Sequence, residues 1–373
     1  MRDFDLEVFF SRWEFTARFH MTASDAQSMT LGELLALGSE KDRKQFESLW
    51  LSYTETRGAP DLREAIAQTY DRLGSSNIQC FAGAEEGIYA AMRVLLQAGD
   101  HAVVVVPNYQ AAETIALEQT AVTGVPLREA EQWRLDLDAV KAAIRPETKL
   151  ISVNFPNNPT GAVAAHDDYN ALIALCRQHG LYLFNDEVYR GLELEPQRRL
   201  PQIADIYEKG LSLNVMSKAY GLPGLRIGWI ASQDTEALRR FERYKHYLSI
   251  CNAGPSERLA RIALRARDTI LQRNRNILRK NLQTLDSFFA EFPDRFEWRR
   301  PDGGCVAFVR YIGPEGVETF CRELVEQAGV LLLPASIYRS ELLPTPQDRF
   351  RIGCGRTNID EGLRALRDFL RQR

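Results

Sequence analysis

The chain has 373 residues, 45% hydrophobic and 26% charged, with a formal net charge of -3. That length exceeds one typical domain, and the charge supplies no basic stripe for nucleic acid. No apolar run approaches the ~18 residues that span a membrane, so neither partner is expected.

The first 40 residues open with acids and carry no secretory cleavage signal, which makes cytoplasmic the expected location. Their texture matches neither half of the chain, and they are expected to pack with the C-terminal unit. Residues 41–254 are read as one large domain. HAVVVVPNY (101–109), KLISVNFP (149–156), LYLFNDE (181–187), LSLNVMS (211–217) and LRIGWIAS (225–232) are short apolar, β-branched runs and predict buried strands. Amphipathic segments such as DDYNALIALCRQH (167–179) are spaced as crossover helices. The alternation predicts an α/β fold, a mostly parallel sheet with helices on both faces. From 255 the pattern changes to one long helix, short strands and a final helix, a smaller α+β domain over 255–373. The six cysteines are scattered without ligand spacing, so they read as reduced core thiols and no metal is expected.

Polar residues stand where the strands end. VNFPNNPTG closes one, FNDEVY the next and NVMSK the one after, presenting Asn158, Asp186 with Tyr189, and Lys218 to one crevice. Ligands of such sheets bind there. Each feature has an ordinary reading: a Pro-Gly turn, an Asp helix cap, a snorkelling surface lysine.

The motif order Y-x-x-x-x-G-x-x-x-L-R, G-A-x-x-[GA], P-x-Y, N-P-T-G, D-E-x-Y, S-K-x-x-G-x-x-G-x-R-x-G and a late F-R-[IL] resembles the class I/II aminotransferase family, and the resemblance runs from about residue 50 to the end. The resemblance implies fold type I and pyridoxal 5′-phosphate as cofactor. It implies that Lys218 is the covalent anchor and proton carrier, a role that suits an amine whose pKa desolvation lowers. It implies that Asp186 partners the pyridine nitrogen and that Asn158 and Tyr189 hydrogen-bond the ring 3′-oxygen. Tyr109 would stack on the ring. Arg226, Ser217 and the backbone of Ala84 and Glu85 would hold the phosphate, with the Glu85 side chain turned away because a carboxylate there repels it. Tyr53 would cross to a second subunit's phosphate, making a homodimer with shared sites. Arg351 and Asn158 would bind the substrate, Arg351 through its α-carboxylate. Two positions depart from the pattern: Val215 replaces a phosphate-binding hydroxyl, and Ala335 replaces a turn glycine in LLPASIY.

Cofactor and fold do not fix the reaction. Amino-group transfer between an α-amino acid and a 2-oxo acid is the leading expectation. The N-terminal run together with SKAYGLPGLRIGW also resembles capreomycidine synthase-like members, which cyclise a hydroxylated arginine, so cyclisation, oxidation or elimination stands as the alternative. A regulatory module that binds the cofactor without turnover would need an attached DNA-binding segment, and none is expected here.

Overall fold

The computed structural model describes residues 1–372. Its main sheet has eight strands in the order Ile78–Phe81, Gly228–Ala231, Gly210–Val215, Tyr182–Asp186, Thr148–Asn154, His101–Val106, Ala121–Arg128 and Arg134–Leu135. The five strands from Gly210–Val215 to Ala121–Arg128 run parallel, and the remaining pairings are antiparallel. Every residue of His101–Val106 and Gly210–Val215 is buried. Both faces are covered by helices, which is why these strands read as unbroken apolar runs and not as an alternation.

The crossover segments end where their residues say they should. The helix His166–His179 has Asp167 and Asp168 in its first turn and Arg177 and His179 in its last, and it stops at Gly180, whose φ of 65° suits glycine. In chain order the sheet reverses between His101–Val106 and Thr148–Asn154. The carboxyl ends of those two strands therefore open a crevice at the switch point, the place where α/β sheets take ligands.

A second, antiparallel sheet joins Phe296–Glu297, Val306–Tyr311, Arg349–Gly353 and Leu333–Pro334. The N-terminal residues run back across both parts. Phe19–His20 pairs in parallel with Val330–Leu331, and Ala26 N–H donates to the carbonyl of Lys218 at 3.1 Å.

Two details differ from the sequence reading. The long helical pattern after 255 is two helices, Gly254–Arg265 and Arg267–Ala290, separated at Ala266, whose ψ of 15° leaves the helical range. The run 225–232 is a strand only over Gly228–Ala231, because Pro223–Leu225 forms a 3₁₀ turn and Arg226 takes a left-handed φ of 51°. Ala335 begins the 3₁₀ turn Ala335–Tyr338 without a positive φ, so that turn does not need glycine. All six cysteines are free, and no helix among the described residues is long and apolar enough to cross a membrane.

Candidate functional site

The strand ends are laced together by amides. Asn154 Nδ2 donates to the carbonyl of Asp186 at 2.8 Å, its Oδ1 accepts from Asn158 N–H at 2.7 Å, and Asn157 Nδ2 reaches the carbonyl of Pro107 at 3.1 Å. Three neighbouring strands thus deliver Tyr109, Asn158 and Asp186 to one side of the crevice.

Lys218 follows the next strand, Gly210–Val215, and is half-buried beside the fully packed Ala219. Its Nζ donates to Ser24 Oγ at 2.8 Å, a neutral partner from the N-terminal segment. Burial lowers its pKa; the charges of Asp25 and Asp186 act against that shift, and Arg351 adds to it. Asp186 shows the mirror image. Burial pushes its carboxyl up to about 6, while the Val188 amide, donating to Oδ1 at 3.1 Å, and the charge of Lys218 pull it back. Tyr189 is buried, and its hydroxyl has no hydrogen-bond partner among the described residues, with Ser24 beside it. An unpaired buried hydroxyl costs free energy, so it marks a place where a ligand atom belongs. Ser217 is buried at the same turn, and Val215 lies inside the strand with 1% of its surface exposed.

Arg351 is fully buried on the strand Arg349–Gly353. Nη1 donates to Asn158 Oδ1 at 3.2 Å and to the Tyr338 hydroxyl at 2.6 Å, Nε to Thr22 Oγ1 at 3.2 Å, and Nη2 to the Thr22 carbonyl at 2.7 Å. Phe10 and Tyr338 place their rings 6.0 and 5.8 Å from its guanidinium carbon. Every one of these hydrogen-bond partners is neutral.

Arg226 lies across the start of the helix Ala84–Leu95. A Cβ built on Gly83 would meet its Nη2 at 2.5 Å, and one on Gly228 would meet the Gly83 carbonyl carbon at 2.7 Å and Ala84 N at 2.9 Å. The missing side chains let the guanidinium and the free N–H groups of the first turn share one small hollow, a setting for an anion.

Glu85 corrects the sequence reading. Its carboxyl is turned inward, facing the Tyr109 hydroxyl, with Oε2 buried and unpartnered. Burial raises its pKa to about 7; Tyr109 and Arg226 oppose the shift, and Glu7 and Asp186 add to it. Burial weakens the expected repulsion by favouring the protonated carboxyl. Tyr53 is 88% exposed. Ser24, Thr22, Tyr338 and Phe10 were not found from the sequence. Tyr338 ends the LLPASIY turn and the others lie in the N-terminal run, but neither stretch marks these side chains as site residues, and their signal is tertiary proximity.

Known proteins share the chain's sequence pattern and fold. The chain is 28% identical over 361 residues to capreomycidine synthase of Streptomyces vinaceus, covering 95% of this chain and 90% of that one. It is 28% identical over 314 residues to the arginine–pyruvate transaminase AruH of Pseudomonas aeruginosa, covering 81% and 77%. A crystal structure of a PLP-dependent aminotransferase from Streptococcus suis superposes with a TM-score of 0.92 at 30% identity, covering 100% of this chain and 98% of that one. The family model described as aminotransferase class I and II matches residues 34–366, and the chain belongs to that family of pyridoxal 5′-phosphate enzymes.

Proposed function

We propose that the protein transfers an amino group from an α-amino acid to a 2-oxo acid. The observation that carries this reading is Arg351: a guanidinium buried with only neutral partners, in one crevice with Lys218, asks for an anion. A carboxylate is a stronger acceptor than the amide, hydroxyl and carbonyl oxygens now bonded to it, so a substrate carboxylate displaces one of them and gains a bidentate contact.

The residues fit the cofactor. Tyr189 has the orphaned hydroxyl for a ring oxygen, with Asn158 near it, and Tyr109 offers an aromatic face. Gly83, Ala84, Glu85 N–H, Ser217 and Arg226 line the hollow for a phosphate. When bound, the cofactor supplies an electron-withdrawing ring that takes up the electron pair left at the substrate α-carbon. Lys218 would anchor it and would carry the α-proton; burial lowers its pKa and so favours the neutral amine that accepts one. Asp186 would hold a proton on the ring nitrogen. Ser24 orients the lysine amine, and Phe10 with Thr22 shields Arg351 from water.

The same reading divides the chain at 40 and 254, places the protein in the cytoplasm, and makes it a homodimer in which Tyr53 serves the second copy's site. Cyclisation is the second reading, favoured by the similarity to capreomycidine synthase across nearly the whole chain.

Incubating the purified protein with single amino acids and a 2-oxo acid, then weighing the products, separates the two. Transfer is expected: the donor becomes a 2-oxo acid and the acceptor gains its nitrogen. Lys218→Ala is expected to abolish both the turnover and the visible band of the lysine-bound cofactor. A product that keeps its nitrogen in a new ring would replace the first reading with the second.

A further inference from the structure

Lys245 ends the helix Thr235–Lys245 and is fully buried. A buried ammonium is expensive unless its charge is answered. Its Nζ donates to the Cys80 carbonyl at 2.8 Å and to Asn252 Oδ1 at 2.6 Å, and it lies 5.5 Å from the centre of the Phe81 ring. All three are neutral. The nearest acid is Glu86, whose Oε2 is 4.0 Å away; Glu257 is reached only through Asn252, whose Nδ2 donates to its Oε1 at 3.0 Å.

Glu86 folds back over the turn that enters the helix Ala84–Leu95. Its Oε2 accepts from Ala82 N–H at 2.6 Å and its Oε1 from Ser249 N–H at 3.1 Å. A carboxylate is thereby used to close the turn that frames the anion hollow at Gly83. Glu86 thereby sets a carboxylate beside a place meant for a dianion, where Glu85 adds a second acid whose charge burial suppresses, and Arg226 is the hollow's own cation.

We infer that Lys245 is a positioning residue for phosphate binding: from behind the hollow its buried cation cancels Glu86, so that the turn can close on a carboxylate and still take a phosphate. This rests on the placement of the cofactor phosphate at Gly83 and Arg226. Lys245 touches neither substrate nor cofactor.

The test compares the apoprotein's dissociation constants for pyridoxal 5′-phosphate and for pyridoxal, by equilibrium dialysis. The two ligands differ only in the phosphate, so their ratio isolates its contribution. Lys245→Met is expected to lower the phosphate preference about tenfold while pyridoxal binding moves by less than about threefold. A general loosening of the fold moves both ligands alike and overturns the inference. Adding Glu86→Gln to Lys245→Met is expected to bring the ratio back to within about threefold of wild type, since one charge of each sign is then gone. Glu86→Gln alone keeps the cation and is expected to raise the preference; this arm decides if Lys245→Met does not fold. An unchanged ratio in either single variant, or no rescue in the double one, also overturns the inference. Arg226→Ala separates the underlying placement: a wild-type ratio there removes the phosphate from Gly83. A loss there combined with a wild-type ratio in Lys245→Met removes only the role of Lys245.

Discussion

Asp186 is held in a state it does not prefer. Its carboxyl is pushed from an ordinary 3.8 up to about 6, chiefly by burial. The folded protein therefore binds that proton more readily than the unfolded chain does, and the carboxylate weighs against folding as pH rises from 3.8 to about 6, fully so above it. Asparagine keeps the acceptor for Val188 N–H and removes the charge. The Asp186→Asn apoprotein is thus expected to be more stable than wild type by about 1–3 kcal/mol near pH 7, with the gain fading as pH falls below about 6. Denaturant unfolding of the two apoproteins near pH 7 and near pH 4 measures it. Turnover of the same variant is expected to fall by about a hundredfold or more, because the ring nitrogen loses its counter-charge. Equal stability at neutral pH would mean that the site does not strain this carboxylate. Glu85, with its pKa raised to about 7 chiefly by burial, follows the same physics.

The glycines of the S-K-x-x-G-x-x-G-x-R-x-G element show what a segment has to fit. Gly221 has a φ of 67°, and a Cβ on it would meet the carbonyl of Gln27 at 2.7 Å; a Cβ on Gly228 would meet the backbone of Gly83 and Ala84. Gly224 faces open space, with nothing within 4 Å of such a Cβ. Gly228→Ala is expected to destabilise the protein by about 1–3 kcal/mol, since backbone cannot swing aside, and to weaken cofactor binding through the displaced hollow. Gly224→Ala is expected to be nearly silent; thermal unfolding of the two variants reads the difference. The sequence marks all three glycines alike, and only the packing ranks them. The same limit explains what was legible. Asn158, Asp186 and Lys218 could be brought together because each ends a strand whose apolar run is visible, and parallel strands align their ends. Ser24 could not, standing 194 positions from Lys218, nor Thr22, 329 positions from Arg351. The break at Ala266 carries no glycine or proline, and the helical period runs straight through it.

On the scale of the whole molecule, one face is left apolar. Trp50, Leu51, Tyr53 and Tyr247 are each at least 85% exposed, and Thr54 Oγ1 donates to the Asn252 carbonyl at 2.9 Å, which ties the segment bearing the first three to the one bearing Tyr247. A patch of that kind marks an association surface. If the proposed homodimer uses it, Tyr53 of one copy completes the site that holds Lys218 of the other, and a C2 axis repeats the arrangement. The consequence is complementation. Tyr53→Ala loses the donor from both sites of its homodimer, and Lys218→Ala loses the anchor from both of its own. A mixed dimer pairs the intact Lys218 of the first variant with the intact Tyr53 of the second in one of its two sites. Random exchange between equal amounts makes half of the dimers mixed, so activity is expected to rise to about one quarter of wild-type sites, above the average of the two variants measured apart. Were Tyr53 to act within its own chain, each mixed dimer would hold one site lacking Tyr53 and one lacking Lys218. Activity after exchange would then stay at that average. A Trp50→Glu, Leu51→Glu variant sedimenting as a dimer would show that association uses a different face.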